Sequence, residues 1–261
     1  MQVNVALVQF RVTTDPIEQN LQRMERYLSE ASGADVVVFP EYFLHGGGED
    51  HIDDGTLLNT FQDLARRYAV DLVPGSILEE TEDGLVNATY YIDTDGMVRG
   101  RYEKINLWHS ERAKITPGSG VSVFDTRFGP SSLALCWDLT RPDLFSGMAR
   151  AGARIVYCPS LWFRGTDMPI HNGRPDTQKI HLDALCRARA IENAMAIAYV
   201  NGVGRVALEN GYDDGIGQSR ITMPVYGVIR AMDEEEGMVI ANIDLSLIEQ
   251  ARDAYGLPNT N

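Results

Sequence analysis

A run of four wholly apolar residues, Val36-Val37-Val38-Phe39, constrains the fold more than any other feature of the chain. Its β-branched residues favour a strand, and Pro40 ends that strand. Successive side chains of a strand point to opposite faces, so an apolar residue at every position requires cover on both faces. The run therefore predicts a strand in a sheet that lies between other layers.

Amphipathic helical segments alternate with strand-like runs along the chain. The predicted helices span 16–31, 55–69, 141–151, 175–194 and 245–254, and the predicted strands span 2–10, 35–39, 72–78, 85–92, 97–102, 121–124, 131–135, 154–157, 196–201, 217–223, 225–230 and 238–243. Asp15 is predicted to cap the first helix, and Asp95-Gly96 to turn a hairpin. No Pro/Ser-rich linker divides the chain. We therefore expect one α/β domain over residues 1–261, with a mixed sheet and enough strands for two sheets.

Charge and composition exclude several classes of function. The net charge of −14 disfavours nucleic acid as a partner, because phosphate binding needs clustered Lys and Arg. No apolar run is long enough to span a membrane, and the first ten residues lack the basic start of a secretory signal. Cys136, Cys158 and Cys186 are an odd number without metal-ligand spacing. We expect a cytoplasmic protein with free thiols.

Cys136 is the candidate nucleophile. It ends the apolar run Ser132-Leu133-Ala134-Leu135, and a polar segment that is able to start a helix follows. A thiol placed there lies at the mouth of a sheet, where a helix N-terminus lowers its pKa and offers N–H groups to an oxyanion. Cysteines are more often buried and inert, and Cys158 and Cys186 fit that interpretation.

Three ionisable residues also follow strand-like runs or lie close to one. Glu41 follows the run that ends at Pro40, Lys104 ends a polar strand, and Glu111 lies seven residues further on. Taken alone, Lys104 and Glu111 fit solvated surface residues better than site residues, and Glu41 is also compatible with a surface loop. A carboxylate, an ammonium and a thiol at one sheet edge would make a complete acyl-transfer site, so these residues predict thiol-based catalysis.

Rival motifs are weak. The chain has no Gly-x-Ser-x-Gly, so the run from His45 to Gly48 has no serine nucleophile to serve. The glycines of 202–207 imitate a dinucleotide fingerprint, but no helical pattern follows them. The five histidines lack paired zinc spacing, so we expect no metal site. Counting residues leaves a papain-like Cys/His pair open.

Three motifs in this order resemble the nitrilase superfamily of carbon–nitrogen hydrolases. They are Phe39-Pro40-Glu41, Tyr102-Glu103-Lys104 and Leu135-Cys136-Trp137-Asp138. Further similar segments run through nearly the whole chain, at Val5-Ala6-Leu7-Val8-Gln9, Asn87, Thr116-Pro117-Gly118, Pro159-Ser160-Leu161-Trp162, 187–193 and Gly217-Gln218-Ser219. The ordered set, more than any single piece, carries the resemblance.

The resemblance implies a four-layer α-β-β-α sandwich. It implies Cys136 as nucleophile, Glu41 as general base, Lys104 as electrostatic stabiliser and Glu111 as a supporting glutamate, and we expect the Trp137 backbone N–H to join Lys104 at the oxyanion. It further implies a homodimer or higher homo-oligomer, paired through the helices after the cysteine, and chemistry without a cofactor.

Two departures from the family pattern concern the substrate. Thr140 stands where many members have Arg, and the segment from Lys104 to Glu111 is shorter than in the ω-amidase-like branch. Tyr42, Phe43 and Trp162 border predicted strand ends and are candidates either to line a pocket or to pack the core. His109, two residues before Glu111, is a candidate substrate contact.

The sequence therefore predicts a thiol hydrolase that cleaves a C–N bond in a small linear amide or N-carbamoyl compound, with water as co-substrate. Nitrile hydrolysis and acyl transfer at the same site remain alternatives. A non-catalytic binding protein on this fold is an alternative of another class, although retention of Glu41, Lys104, Glu111 and Cys136 together argues against it.

Overall fold

A computed structural model of the protein describes residues 1–46, 52–165, 170, 174, 176–208 and 211–256. The helices of this part of the chain are α1 (Ile17–Glu30), α2 (Thr56–Tyr68), α3 (Pro142–Arg150), α4 (Thr177–Asn193) and α5 (Leu245–Tyr255). Its strands are β1 (Gln2–Gln9), β2 (Val36–Phe39), β3 (Ile52–Asp53), β4 (Asp71–Pro74), β5 (Ile77–Thr81), β6 (Gly84–Ile92), β7 (Val98–Glu103), β8 (Val123–Thr126), β9 (Gly129–Leu133), β10 (Ile155–Ser160), β11 (Ala196–Asn201), β12 (Val203–Leu208), β13 (Gly211–Ile216), β14 (Arg220–Met223), β15 (Gly227–Ala231) and β16 (Gly237–Asp244). Short 3-10 helices span Glu111–Ala113 and Cys136–Thr140.

Two large sheets form the centre of the molecule. The first has the order β16-β1-β2-β4-β6-β5-β3, with β7 also paired to β6, and the second has the order β15-β14-β11-β10-β9-β8. Both are mixed: β1 pairs parallel to β2 and antiparallel to β16, while β11 pairs parallel to β10 and antiparallel to β14. The mixed-sheet prediction is confirmed.

The alternation of side chains along β2 explains its apolar sequence. Val36 and Val38 belong to the core between the two sheets, which also contains Leu133 and Tyr157 of the second sheet. Val37 and Phe39 point the other way and pack with residues of α1 and α2. Both faces of this strand are buried, as the sequence requires.

The second sheet is covered on its outer face by α3 and α4. Phe145 of α3 and Leu182 of α4 share a buried cluster with Val156 and Ile197 of the sheet. The layers are therefore helix, sheet, sheet and helix, and the predicted α-β-β-α sandwich is confirmed. Among the helices of the described residues, none has both the length and the apolar content that crossing a bilayer requires.

Some element predictions were wrong. The strand predicted over 72–78 is two strands, β4 and β5, because Gly75 has a φ of +74° and breaks the extended backbone. Pro16 rather than Asp15 occupies the N-cap position of α1, and no side chain accepts a hydrogen bond from the first backbone N–H groups of this helix. The hairpin of β12 and β13 was missed, although the absence of a helix after 202–207 is confirmed for the described residues up to 208 and from 211. The Asp95-Gly96 turn does join the antiparallel pair β6 and β7.

Candidate active site

A buried ion cluster lies at one end of the first sheet. Glu41 follows the end of β2, and Lys104 follows the end of β7. Glu111 begins the short 3-10 helix that follows Lys104. All three side chains are buried, with Lys104 only 2% exposed. A charge in such a position is stable only when it is paired and hydrogen-bonded.

Lys104 supplies that pairing for both glutamates. Its Nζ lies 2.8 Å from Glu41 Oε1 and 2.8 Å from Glu111 Oε1. Burial alone would lower the pKa of Lys104, but the carboxylates of Glu41 and Glu111 outweigh burial and raise this pKa well above its usual value. The ammonium is therefore charged at neutral pH.

Glu41 is held by donors from both sheets. Asn87 Nδ2 donates to its Oε1 over 2.9 Å, and the Leu161 backbone N–H donates to its Oε2 over 3.0 Å. Burial raises the pKa of Glu41, while the Lys104 ammonium opposes the increase. A carboxylate with this balance is suited to gain and lose a proton during a reaction.

Glu111 accepts hydrogen bonds from three directions besides Lys104. The Tyr42 hydroxyl donates to its Oε1 over 3.1 Å, the Trp108 backbone N–H donates to its Oε2 over 2.6 Å, and Asn87 Nδ2 makes a longer contact of 3.4 Å. These donors fix the carboxylate in position. The carboxylate of Glu111 is thereby able to hold the Lys104 ammonium in position.

Cys136 comes from the other sheet, just after β9. It begins the 3-10 helix Cys136–Thr140 with a φ of +43°, a backbone region that non-glycine residues rarely occupy. Its side chain is nearly buried, with 7% of the residue exposed. Glu41, Lys104 and Glu111 all lie close enough to act electrostatically on its thiol.

The direction of the pKa shift at Cys136 corrects one prediction. Burial and the Glu41 carboxylate raise the pKa of the Cys136 thiol well above its usual value, and Lys104 opposes them only in part. The expectation that a helix N-terminus would lower this pKa was wrong, because burial and a nearby carboxylate outweigh one short 3-10 helix. The resting thiol is protonated and needs a base for ionisation.

Asn87 is a site residue that reasoning from the sequence left without a role. It is fully buried in β6, and Lys104 N donates to its carbonyl over 2.9 Å across the β6–β7 ladder. An amide between Val86 and Ala88 in a buried strand was the available signal, because a buried amide side chain needs polar partners.

The four pocket candidates lie in different surroundings. Tyr42 contacts Glu111 directly, and the Trp162 ring lies 5.2 Å from the ring of Trp137, the residue next to Cys136. Phe43 is fully buried and stacks on Phe39 at 5.1 Å, so we assign it to core packing.

His109, the fourth candidate, is exposed beside Trp108. It is Trp108 whose ring contacts Trp137, at 4.4 Å. Trp108 therefore extends the aromatic cluster beside Cys136, a position that the sequence reasoning had not given it.

Thr140 supports the turn that begins at Cys136. Its hydroxyl donates to the Trp137 carbonyl over 2.8 Å. Arg189 of α4 donates to the Leu139 carbonyl over 3.1 Å and forms an ion pair with Glu192 of the same helix. Within the described residues, no cluster of three or more His, Cys, Asp or Glu is arranged to hold a metal ion.

Comparison with known proteins agrees with this geometry. The family model described as carbon–nitrogen hydrolase matches residues 4–253. The chain belongs to the carbon–nitrogen hydrolase family. It is an enzyme of that family, and hydrolysis of a C–N bond is its class of reaction.

Two curated relatives of this carbon–nitrogen hydrolase are amidases. The N-carbamoylputrescine amidase of Oryza sativa subsp. japonica is 27% identical, over 98% of this chain and 90% of the relative. The deaminated glutathione amidase of Yersinia enterocolitica is 30% identical, over 77% of this chain and 74% of the relative. The crystal structure of Saccharomyces cerevisiae Nit3, a member of branch 10 of the nitrilase superfamily, superposes with a TM-score of 0.83 at 25% identity, covering 99% of this chain and 96% of Nit3.

Proposed function

We propose that the protein is a thiol amidase that hydrolyses a small linear amide or N-carbamoyl compound through a thioester on Cys136. The observation that carries this proposal is the buried Glu41–Lys104–Glu111 cluster, whose charges act on the Cys136 thiol. A proton acceptor and a fixed positive charge therefore lie within electrostatic range of the nucleophile. That combination is what acyl transfer requires.

In the acylation step, the thiol proton passes to Glu41 while Cys136 Sγ bonds to the substrate carbonyl carbon. The carbonyl π electrons move to oxygen, and the resulting oxyanion accepts hydrogen bonds from the Lys104 ammonium and the Trp137 backbone N–H. Removal of one such donor typically costs a factor of about 10²–10³ in rate. As the electrons return, the C–N bond breaks and Glu41 gives its proton to the departing nitrogen, which leaves a thioester.

In the second step, water gives a proton to Glu41 and bonds to the thioester carbon. The C–S bond breaks, and the sulfur recovers its proton from Glu41. Every proton therefore passes through one carboxyl group, and the raised pKa of Glu41 supports this role because the group must exist in both forms. Lys104 stays charged throughout, and Glu111 holds it in position.

The names of the two amidase relatives support an amide or N-carbamoyl substrate. Nitrile hydrolysis and acyl transfer would use the same nucleophile. A transferase would pass most of the acyl group to an added amine acceptor, whereas a hydrolase would release mainly the acid, and nitrile hydrolysis would show as ammonia released from a nitrile.

The test is to trap the acyl-enzyme. The protein is mixed with a panel of small amides and N-carbamoyl amines, ammonia release is measured, and the intact mass is recorded after acid quenching. We expect an added acyl mass that maps to Cys136 and disappears in Cys136→Ala. Cys158→Ala is the matched control, because Cys158 is fully buried within β10. Ammonia release by Cys136→Ala at the wild-type rate would refute the proposal.

We also propose that two protomers pair through α3 and α4, the helices that follow the cysteine. Ile180 and Ile191 of α4 are exposed, and their spacing of eleven residues, about three turns, places them on one face of the helix. Large apolar side chains exposed on one surface are typical of an interface. Light scattering should give twice the mass of the chain, and Ile191→Glu should reduce it to one.

A further inference from the structure

Asp138 is a fully buried carboxylate two residues after the nucleophile. Four N–H or O–H groups donate to it. Leu135 N donates to Oδ2 over 2.9 Å, and the Tyr102 hydroxyl donates to Oδ2 over 2.7 Å. The Asn106 backbone N–H and Nδ2 donate to Oδ1 over 2.9 and 2.8 Å. Each carboxylate oxygen therefore accepts two hydrogen bonds.

The donors belong to the two segments that carry the thiol and the ammonium. Leu135 directly precedes Cys136 in the segment that follows β9 of the second sheet. Tyr102, in β7 of the first sheet, lies two residues before Lys104, and Asn106 lies two residues after it. Asp138 thus binds the nucleophile turn to both sides of Lys104. The strained backbone of Cys136, with its φ of +43°, needs such external support.

We propose that Asp138 is a positioning residue that fixes Lys104 against Cys136. It does so by hydrogen bonds that join the turn after β9, which carries Cys136, to the segment at the end of β7, which carries Lys104. It does not contact the substrate. Its effect on the rate passes through Lys104, and so the inference rests on the proposed roles of Lys104 and Cys136.

The chemistry of the carboxylate matters as much as its shape. An ionised carboxylate accepts on both oxygens, whereas an amide accepts on one side only and donates on the other. Asp138→Asn therefore turns an amide N–H₂ toward either the Asn106 donors or the Leu135 N–H, and one of the two segments is released. Misplacement of a reacting group by about 1 Å can cost about 100-fold in rate.

A second buried Tyr–Asp hydrogen bond provides a matched control. Tyr91 donates to Asp71 over 2.6 Å, and both residues are buried. Asp71 starts β4, and it lies beside Val36 at the start of β2, whereas Glu41 follows the end of that strand. Tyr91→Phe therefore removes an equivalent bond at the far end of the sheet from the site.

The experiment compares Asp138→Asn, Tyr102→Phe and Asn106→Ala with Tyr91→Phe. For each variant we measure kcat and KM on an active amide, the pH profile of Cys136 alkylation by iodoacetamide, and the melting temperature. We expect Asp138→Asn to lower kcat by about 10- to 100-fold, with KM unchanged within about twofold. Its alkylation profile should move to higher pH, because Lys104 lowers the pKa of the Cys136 thiol and would lie farther away. Tyr102→Phe and Asn106→Ala should show smaller shifts in the same directions.

Tyr91→Phe should lower the melting temperature while kcat and the alkylation profile stay as in the wild type. A wild-type kcat and alkylation profile in Tyr102→Phe and Asn106→Ala would overturn the inference, and so would an equal change in Tyr91→Phe. Tyr102→Phe and Asn106→Ala decide the question even if Asp138→Asn does not fold. The alkylation profile needs no substrate, so the inference is tested independently if no amide proves to be hydrolysed.

Discussion

Lys104 Nζ lies 2.8 Å from Glu41 Oε1, and each of the two side chains is only 2% exposed. The two residues follow different strands of one sheet. Either charge, buried in this position without the other, would destabilise the fold. Their pairing links the stability of the fold to the chemistry of the site. The first prediction tests that link.

Lys104→Met keeps the length of the side chain and removes its charge. Glu41 and Glu111 then lose their cation, and breaking a buried pair typically costs about 3–5 kcal/mol. We expect a loss of that order in the free energy of unfolding, measured in urea, together with loss of turnover. Lys179→Met is the control, because the pair of Lys179 with Glu234 is partly exposed and should contribute about 0–1 kcal/mol. Addition of Glu111→Gln to Lys104→Met should restore part of the stability, and no restoration would contradict the charge argument.

The pH dependence of turnover should report Glu41. The base must be ionised in the free enzyme, so kcat/KM falls as the pH falls through the pKa of Glu41. Burial raises this pKa, and the midpoint of the acidic limb should therefore lie above the value of about 4.3 for an ordinary glutamate. A profile of kcat/KM from pH 4 to pH 8 measures it. An acidic limb at or below the ordinary value would show that another group is the base.

Asn87→Ala should move that limb further toward neutral pH. The Asn87 amide donates to Glu41 and lowers its pKa, so removal of this amide raises the pKa again. The loss of a buried donor should also cost about 1–3 kcal/mol of stability. Asn193→Ala serves as the control, because this buried amide donates to the Arg189 carbonyl. Its loss should reduce stability and leave the acidic limb where it is.

Gly75→Ala should impair the enzyme through the backbone that carries Glu41. A Cβ at Gly75 would lie 2.1 Å from the Pro40 carbonyl oxygen, directly before Glu41. Gly33 is the matched control, because it also has a positive φ but its Cβ would meet no atom within 4 Å. Gly33→Ala should cost only the left-handed strain of about 1–2 kcal/mol and leave kcat unchanged. Gly75→Ala should cost more and lower kcat, as denaturation and steady-state kinetics will measure.

The sequence predicts the layers well because they depend on side-chain periodicity. The apolar run at Val36–Phe39 demands cover on both faces, and the structure provides it. The β12–β13 hairpin has no such pattern, since its second strand carries Asp213 and Asp214 next to Gly215. Its strands are held by each other's backbone hydrogen bonds, which every residue type except proline can form.

The residues of the candidate site were predictable from the sequence, but their hydrogen-bond partners and pKa shifts were less so. Glu41, Lys104 and Cys136 each follow a strand, and that position is visible along the chain. The Leu161 N–H that donates to Glu41 and the position of Asn87 depend on how two sheets pack, which no local pattern encodes. The pKa of Cys136 was predicted in the wrong direction for the same reason, because burial and the Glu41 carboxylate are tertiary effects.

Glu41 and Lys104 follow strands of one sheet, and Cys136 follows a strand of the other. Their separation is therefore set by the seam between the sheets rather than by any single loop. Warming or mild denaturant that increases the distance between the two sheets by a fraction of an ångström should abolish activity while the helices are still intact. Turnover should therefore detect a separation of the two sheets earlier than circular dichroism does. Repacking of the core between the sheets is then a route to heat-resistant variants that leaves Glu41, Lys104 and Cys136 unchanged.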